Sequence, residues 1–199
     1  MIIIVLGPSS CGKGTQADLL AEKYSIPHIS TGDLFRKEIA DNTELGQKIA
    51  PMLAAGQFVP GEITFQILKQ HVEAGYAQTG GVIIDGFPRM YSQVEEIQPL
   101  IDQLLANDKS ENSWLRVIHY SLTFDECLRR QENRKATSNV VRSDADEAAL
   151  RKRYDSYLAD IEQIKKYYQD KGVFIEVDAQ QGIQEIYDYT TKQIEDSLR

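Results

Sequence analysis

The most constraining stretch of this chain lies at its start. Residues 2–6 read Ile-Ile-Ile-Val-Leu, and residues 7–16 read Gly-Pro-Ser-Ser-Cys-Gly-Lys-Gly-Thr-Gln. A short β-branched run stopped by Gly7 is the pattern of a strand buried on both faces. Beyond it, Ala17, Leu20 and Ala21 fall on one face of a helix that opens near Lys13. Strand, tight loop and helix start form the setting of a phosphate-binding loop. There, backbone N–H groups and the positive end of the helix dipole attract phosphate oxygens. Lys13 adds a mobile point charge, and Thr15 is placed to meet a hydrated Mg²⁺. The competing reading is a glycine turn with an exposed lysine, because Gly14 stands where the strict motif has Ser or Thr. Positions 8–11 hold no glycine either, so a positive φ at Ser10 would cost about 1–2 kcal/mol. Cys11 admits two readings, a thiol activated by a helix N-terminus or a small side chain that fills the loop.

The same rhythm continues along the chain. Residues 81–85, 114–122 and 173–177 are further apolar strand candidates, and residues 27–30 hold a very short one. Helical spacing separates them, which predicts an α/β fold with a parallel sheet. Residues 31–75 carry helix pattern with no strand. Leu45, Ile49 and Leu53 share a face there, Gly56 is the expected helix stop, and Pro51 is expected to kink or shorten the helix. An insert of this kind is expected to move relative to the sheet. Residues 135–143 read as an exposed loop. A long helix is predicted from Asp144, capped by Asp144 with Glu147. Its stripe of Leu150, Tyr154, Tyr157, Leu158, Ile161, Ile164 and Tyr168 reads as core packing, and Lys171 and Gly172 close it.

Bulk composition narrows the partners. With 199 residues, 42% hydrophobic and 26% charged, one compact domain has ample material for a core. Net charge is −8 and no basic block is long, so nucleic acid is not expected as a partner. No apolar stretch approaches the roughly 20 residues that cross a bilayer, and residues 1–7 lack the basic leader of a signal peptide. Cys11 and Cys127 give neither zinc spacing nor a disulfide framework. A soluble cytoplasmic protein is expected. His28, His71 and His119 are scattered without ligand spacing and receive no role.

Candidate site residues cluster in a few segments. Thr31, Gly32 and Arg36 sit near a helix start after the short second strand. Asp85 ends a hydrophobic strand, where a carboxylate orients Mg²⁺ through water. Gly86, Pro88 and Arg89 follow as a rigid turn at the sheet's carboxyl edge, the edge at which α/β sheets bind ligands. Arg130 and Arg134 share a helical face, and Arg142 and Arg153 follow. Any one of these arginines reads as solvated surface. As a set with Lys13 they offer guanidinium forks that hold phosphate bidentately.

These segments together resemble the adenylate kinases, within the nucleoside monophosphate kinase family and its short-lid type. The family's loop ends in Gly-Lys-Gly-Thr-Gln, as residues 12–16 do here, so Gly14 is its normal form. Residues 30–36 (Ser-Thr-Gly-Asp-Leu-Phe-Arg) match its acceptor motif, residues 85–89 its Asp-Gly-Phe-Pro-Arg signature, and Gln93 its adenine-reading glutamine. Gln57 and Val59 fall in the segment that packs the acceptor base, and residues 176–182 match the backbone that lines the donor adenine. The resemblance spans nearly the whole chain. It implies a P-loop NTPase fold with a central five-stranded parallel sheet flanked by helices. One adenylate-kinase-like domain would comprise a core of residues 1–29, 76–130 and 154–199, an acceptor-binding insert of 30–75 and a short lid of about 131–143.

The reaction implied is Mg·ATP plus AMP giving two ADP. Ser10, Cys11, Gly12, Lys13, Gly14, Thr15, Arg130 and Arg134 would bind ATP. Thr31, Gly32, Arg36, Gln57, Val59, Gly86, Arg89, Gln93, Arg142 and Arg153 would bind AMP. Lys13, Arg89, Arg130, Arg134, Arg142 and Arg153 would be catalytic. Asp85 and Thr15 would hold Mg²⁺ through water, no zinc is implied, and a monomer is expected. Departures are Ser9 and Ser10 in place of Pro-Gly, Ala145 in place of the lid's second carboxylate after Arg142 and Asp144, and Pro51 and Gly61. Two rivals stay open: a UMP/CMP kinase of the same family, against which Thr31 and Gln93 argue, and a weakly active nucleotide-binding regulatory protein.

Overall fold

The computed structural model describes residues 1–110, 113–137 and 147–198. Its five strands are β1 (Ile2–Leu6), β2 (His28–Ser30), β3 (Val82–Asp85), β4 (Leu115–Ser121) and β5 (Phe174–Asp178). They pair in parallel in the order β2-β3-β1-β4-β5, which places the apolar N-terminal run at the centre. All five strands expected from β-branched runs are present.

Alternation along β1 divides the core. Ile2, Ile4 and Leu6 join one cluster, whose helical part comes from α4 (Gly61–Thr79), α5 (Tyr91–Asn107) and α7 (Glu147–Asp170). Ile3 and Val5 face the other cluster, with Ala17 and Leu20 of α1 (Lys13–Tyr24), Cys127 of α6 (Phe124–Thr137), and Ile186 and Ile194 of α8 (Ile183–Asp196). A sheet covered on both faces needs apolar residues at every position of its central strand, and β1 supplies them.

Residues 31–79 are wholly helical apart from short joints. α2 (Thr31–Ala40) is capped by Ser30, whose side chain accepts from the Asp33 N–H, and α3 (Glu44–Ala54) by Thr43, which accepts from the Gly46 N–H. Both are side-chain N-caps of the usual kind. A third small cluster of Phe35, Ile49 and Val59 lies here, with Leu45 and Leu53 packed against it as the spacing predicts. α3 runs past Pro51 to Ala54, and Gly56 at φ 69 follows its end. α4 is continuous across residue 75, the expected end of the insert. Its first turns pack Ile63 and Ile67 on the small cluster, and Leu68, Val72 and Tyr76 enter the main core.

Three expectations need correction or fall elsewhere. Residues 135–137 are the last of α6, not loop, because Lys and Ala favour continued helix. Leu158 is 50% exposed, whereas Leu150, Tyr157, Ile161, Ile164 and Tyr168 are buried. The buried set recurs at alternating spacings of three and four from Tyr157, and Leu158, one residue later, is carried off that face. The predicted cap at Asp144, and Arg142 and Ala145 with it, lie outside the described residues. Among the described residues no helix is long and apolar enough to cross a membrane.

Candidate active site

Register brings the site together. Val5 of β1 pairs with Asp85 of β3, and Ser30 of β2 pairs with the same Asp85. The glycine loop, the start of α2 and the turn after β3 therefore leave the sheet at one edge.

The loop takes its shape from backbone geometry. Gly7, Ser10 and Gly12 have φ of 152, 68 and 95. Gly7 is required by space as well, since a Cβ there would lie 2.7 Å from both Cys11 Sγ and the Tyr120 carbonyl oxygen. Ser10 does adopt the left-handed conformation that favours glycine, at a cost of about 1–2 kcal/mol. Its hydroxyl accepts from Arg134 Nη2 at 3.3 Å. Gly12 is the N-cap residue of α1, so Lys13 opens the helix and donates to the Pro8 carbonyl at 3.2 Å. Thr15 is exposed in the first turn. Cys11 is 1% exposed, and burial pushes its thiol pKa up despite Lys13 and Arg130. That environment matches a packing side chain, not an activated thiol.

Two arginines reach the loop from α6. Arg130 donates through Nη1 to the Cys11 carbonyl at 3.1 Å and through Nη2 to the Ala179 carbonyl at 2.7 Å. Glu126, which sequence reasoning missed, orients it with a 2.7 Å ion pair. Arg134 is placed one helical turn on, at Ser10.

A cavity of about 420 Å³ opens beside the loop, within the roughly 300–1,000 Å³ of small-molecule sites. Lys13, Arg36, Arg89, Arg134 and Arg153 all line it, as do Ser10, Thr31, Gly32, Gln57, Val59, Asp85, Gly86 and Gln93. Cys11, Gly12, Gly14, Thr15 and Arg130 stand outside this lining, on the loop and its α6 side. Phe35, Phe58 and Thr64 line it without having been expected. Phe58 carries the Arg89 guanidinium over its ring at 5.1 Å. Arg89 also donates through Nε to the Gly86 carbonyl at 2.8 Å.

Gly86 shows why that turn needs glycine. Its φ is 85, and a Cβ there would lie 2.4 Å from Thr31 Oγ1. Thr31 is buried and donates to the Asp85 carbonyl at 3.3 Å. Gln93 is 2% exposed, and its Oε1 accepts from the Arg89 N–H at 2.7 Å and the Met90 N–H at 3.4 Å. Arg36 pairs with Asp33 on the exposed side of α2. Arg153 is 8% exposed, and its Nη2 donates to the Leu53 carbonyl at 2.8 Å.

The surroundings of the carboxylate at the centre favour its charged form. Burial alone would raise the Asp85 pKa, but Lys13, His28 and Arg89 outweigh it and hold it below the ordinary value. His28, given no role from the sequence, sits with Nδ1 2.7 Å from Asp18 Oδ1 and Nε2 3.7 Å from Asp85 Oδ2. The first distance is a hydrogen bond and the second an ion-pair contact only. No local signal announces this, because Asp18 and Asp85 meet His28 only through the packing of α1 and β3. Asp85 Oδ1 is buried without a hydrogen-bond partner among the described residues. An unpartnered carboxylate oxygen beside the loop fits the outer shell of a hydrated Mg²⁺. Among the described residues no cluster of three metal-ligating side chains occurs, and an ion held mainly by phosphates and water needs none.

A central strand feeding a glycine loop, a buried carboxylate on the neighbouring strand and converging arginines define a P-loop phosphotransferase. The chain matches the adenylate kinase family over residues 5–173. It is 35% identical over 191 residues to the adenylate kinase of Bartonella tribocorum, covering 94% of this chain and 95% of that protein. It is 35% identical to that of Deinococcus deserti, covering 96% and 95%, and 33% identical to that of Archaeoglobus fulgidus, covering 94% of each. The chain belongs to the adenylate kinase family, and with it to the phosphotransferases.

Proposed function

We propose that the chain transfers the terminal phosphoryl group of Mg·ATP to AMP, giving two ADP, with the residue roles that follow. The observation that carries this is the convergence of Lys13, Arg36, Arg89, Arg134 and Arg153 on one cavity in a chain of net charge −8. Such a cation set suits two phosphate chains meeting end to end.

Backbone N–H groups from Ser10 to Thr15, with Lys13, cradle the donor phosphates. Arg36 and Arg89 hold the acceptor phosphate. Thr31, Gly32, Gln57, Val59, Gly86 and Gln93 place the acceptor nucleoside, and Arg130, Arg134, Arg142 and Arg153 neutralise the transferring group. Asp85 and Thr15 would hold Mg²⁺ through water, and the bound ion would supply charge neutralisation on the phosphate oxygens. No protein base is required, because phosphoryl transfer rests on positioning and electrostatics. Ser10 and Cys11 contribute backbone only, since one hydroxyl faces Arg134 and the thiol is buried. Closure of residues 30–75 and of the lid at about 131–143 excludes water, which would otherwise take the phosphoryl group. The same reading makes the enzyme a cytoplasmic monomer, and light scattering tests its assembly state.

The decisive measurement is ADP formation from ATP with AMP, CMP and UMP at equal concentration. AMP is expected to be the fastest acceptor. Equal or faster use of CMP or UMP overturns the adenine assignment, and absence of ADP from all three overturns the reaction.

A further inference from the structure

We propose that the first turns of α7 form a socket for the C-terminal end of α3, and that Lys152 acts there as a positioning residue for acceptor binding. The inference rests on the acceptor role given above to Gln57 and Val59.

α3 ends in a Schellman closure. The Gly56 N–H donates to the Leu53 carbonyl at 3.1 Å and the Gln57 N–H to the Met52 carbonyl at 2.9 Å, with Gly56 at φ 69. That closure fixes the backbone of Gln57, the first residue of the segment lining the cavity. It leaves the negative end of the α3 dipole facing outward. Two consecutive cations of α7 meet it. Lys152 Nζ donates to the Ala55 carbonyl at 3.3 Å, and Arg153 Nη2 to the Leu53 carbonyl at 2.8 Å.

Shape complements charge at the same place. A Cβ on Gly56 would lie 3.0 Å from Ala149 Cα and 3.1 Å from the Ala149 carbonyl oxygen. The two backbones are therefore in contact, and only glycine serves both the left-handed turn and the approach. Within about one turn of α7, Ala149, Lys152 and Arg153 thus meet Gly56, Ala55 and Leu53, three of the four residues before Gln57. Val59, two residues further on, is 3% exposed in the small cluster. Lys152 does not line the cavity, so its influence on the acceptor is indirect.

The test uses full-length enzyme with Lys152→Ala, Lys152→Arg and Gly56→Ala. For Lys152→Ala the KM for AMP rises about two- to fivefold, the effect of one cation at a helix C-terminus. The KM for ATP and kcat stay at wild-type values, amide exchange at Gln57 in the free enzyme accelerates, and Lys152→Arg restores both readouts. Gly56→Ala moves them the same way by about tenfold, since a left-handed alanine adds strain. Unchanged KM for AMP and unchanged Gln57 exchange in Lys152→Ala overturn the socket, as does an equal rise in both KM values. Failure of the wild-type enzyme to use AMP overturns the functional reading instead, and Gln57 exchange then still decides the socket.

Discussion

The donor and acceptor halves that we propose for the cavity are built by different means. On the donor side, Gly7, Ser10 and Gly12 set the loop through their own backbone angles within six residues. On the proposed acceptor side, the backbone just before Gln57 meets partners far away in sequence. Arg153 reaches Leu53 across 100 positions and Lys152 reaches Ala55 across 97. Backbone angles shape the loop, and Arg130 and Arg134 then hold it from 119 and 124 positions away. The loop thus takes its shape from its own backbone angles and its anchoring from α6, whereas the turn before Gln57 is anchored by α7.

Lys13→Met probes the first half most severely. Loss of one preorganised cation costs about 10²–10³ in kcat, roughly 3–4 kcal/mol, while the loop's shape and the melting temperature persist. Near-wild-type turnover would remove Lys13 from the transfer step, and a collapsed fold would show that the loop is not self-shaped.

Gly86→Ala is the contrasting case on the acceptor side. A Cβ 2.4 Å from Thr31 Oγ1, at φ 85, forces the β3 turn and α2 apart. Stability is expected to fall by roughly 2–3 kcal/mol, a Tm drop of about 4–12 °C for a chain of this size. KM for AMP should rise more than KM for ATP. Thermal unfolding and initial rates read both, and an undisturbed Tm would mean the turn adapts locally.

An acid titration sharpens the donor side. Arg129 and Arg130 hold the Glu126 carboxyl at about 2, against 4.5 ordinarily. The stability it lends is complete above pH 4.5 and is lost as pH falls through about 2. Glu126→Gln should lower Tm at neutral pH by a small amount and flatten that acid limb, in melts collected from pH 5 to 2. An acid limb identical to wild type would show that the pair is too solvated to count.

Ser10→Gly is the gentlest test. Relief of the left-handed serine is partly offset by the greater freedom of unfolded glycine, which leaves a gain of about 0.5–1 kcal/mol. A slight rise in Tm with turnover preserved is expected. A fall in Tm would mean that the hydroxyl contact with Arg134 outweighs the strain.

Legibility followed the same division. The strands were readable because β1, β3 and β5 carry β-branched runs, and the loop because its glycines and lysine act within one segment. Gly56 was readable as a helix stop for the same reason. The role of Ala149 and Lys152 left no local trace, since neither residue is unusual on its own helix. His28 looked isolated because Asp18 and Asp85 reach it only in three dimensions. Glu126 was passed over although it stands four residues before Arg130, a spacing that periodicity could have caught. Leu158 misled because a tyrosine-rich helix offers more apolar positions than one face can bury. The last turn of α6 misled because polar residues that favour helix resemble a loop when no apolar stripe accompanies them.

α4 has a mechanical consequence. Its 19 residues span about 28 Å, with the early turns anchored in the small cluster and the later turns in the main core. Gly75 presses on Pro27 so closely that a Cβ would lie 2.8 Å from Pro27 Cγ. The helix is thus a stiff strut that runs from the small cluster to its contact with Pro27 near the other end. That residue directly precedes His28 and β2, so one rigid element ties the cluster of Phe35, Ile49 and Val59 to the strand that ends beside Asp85.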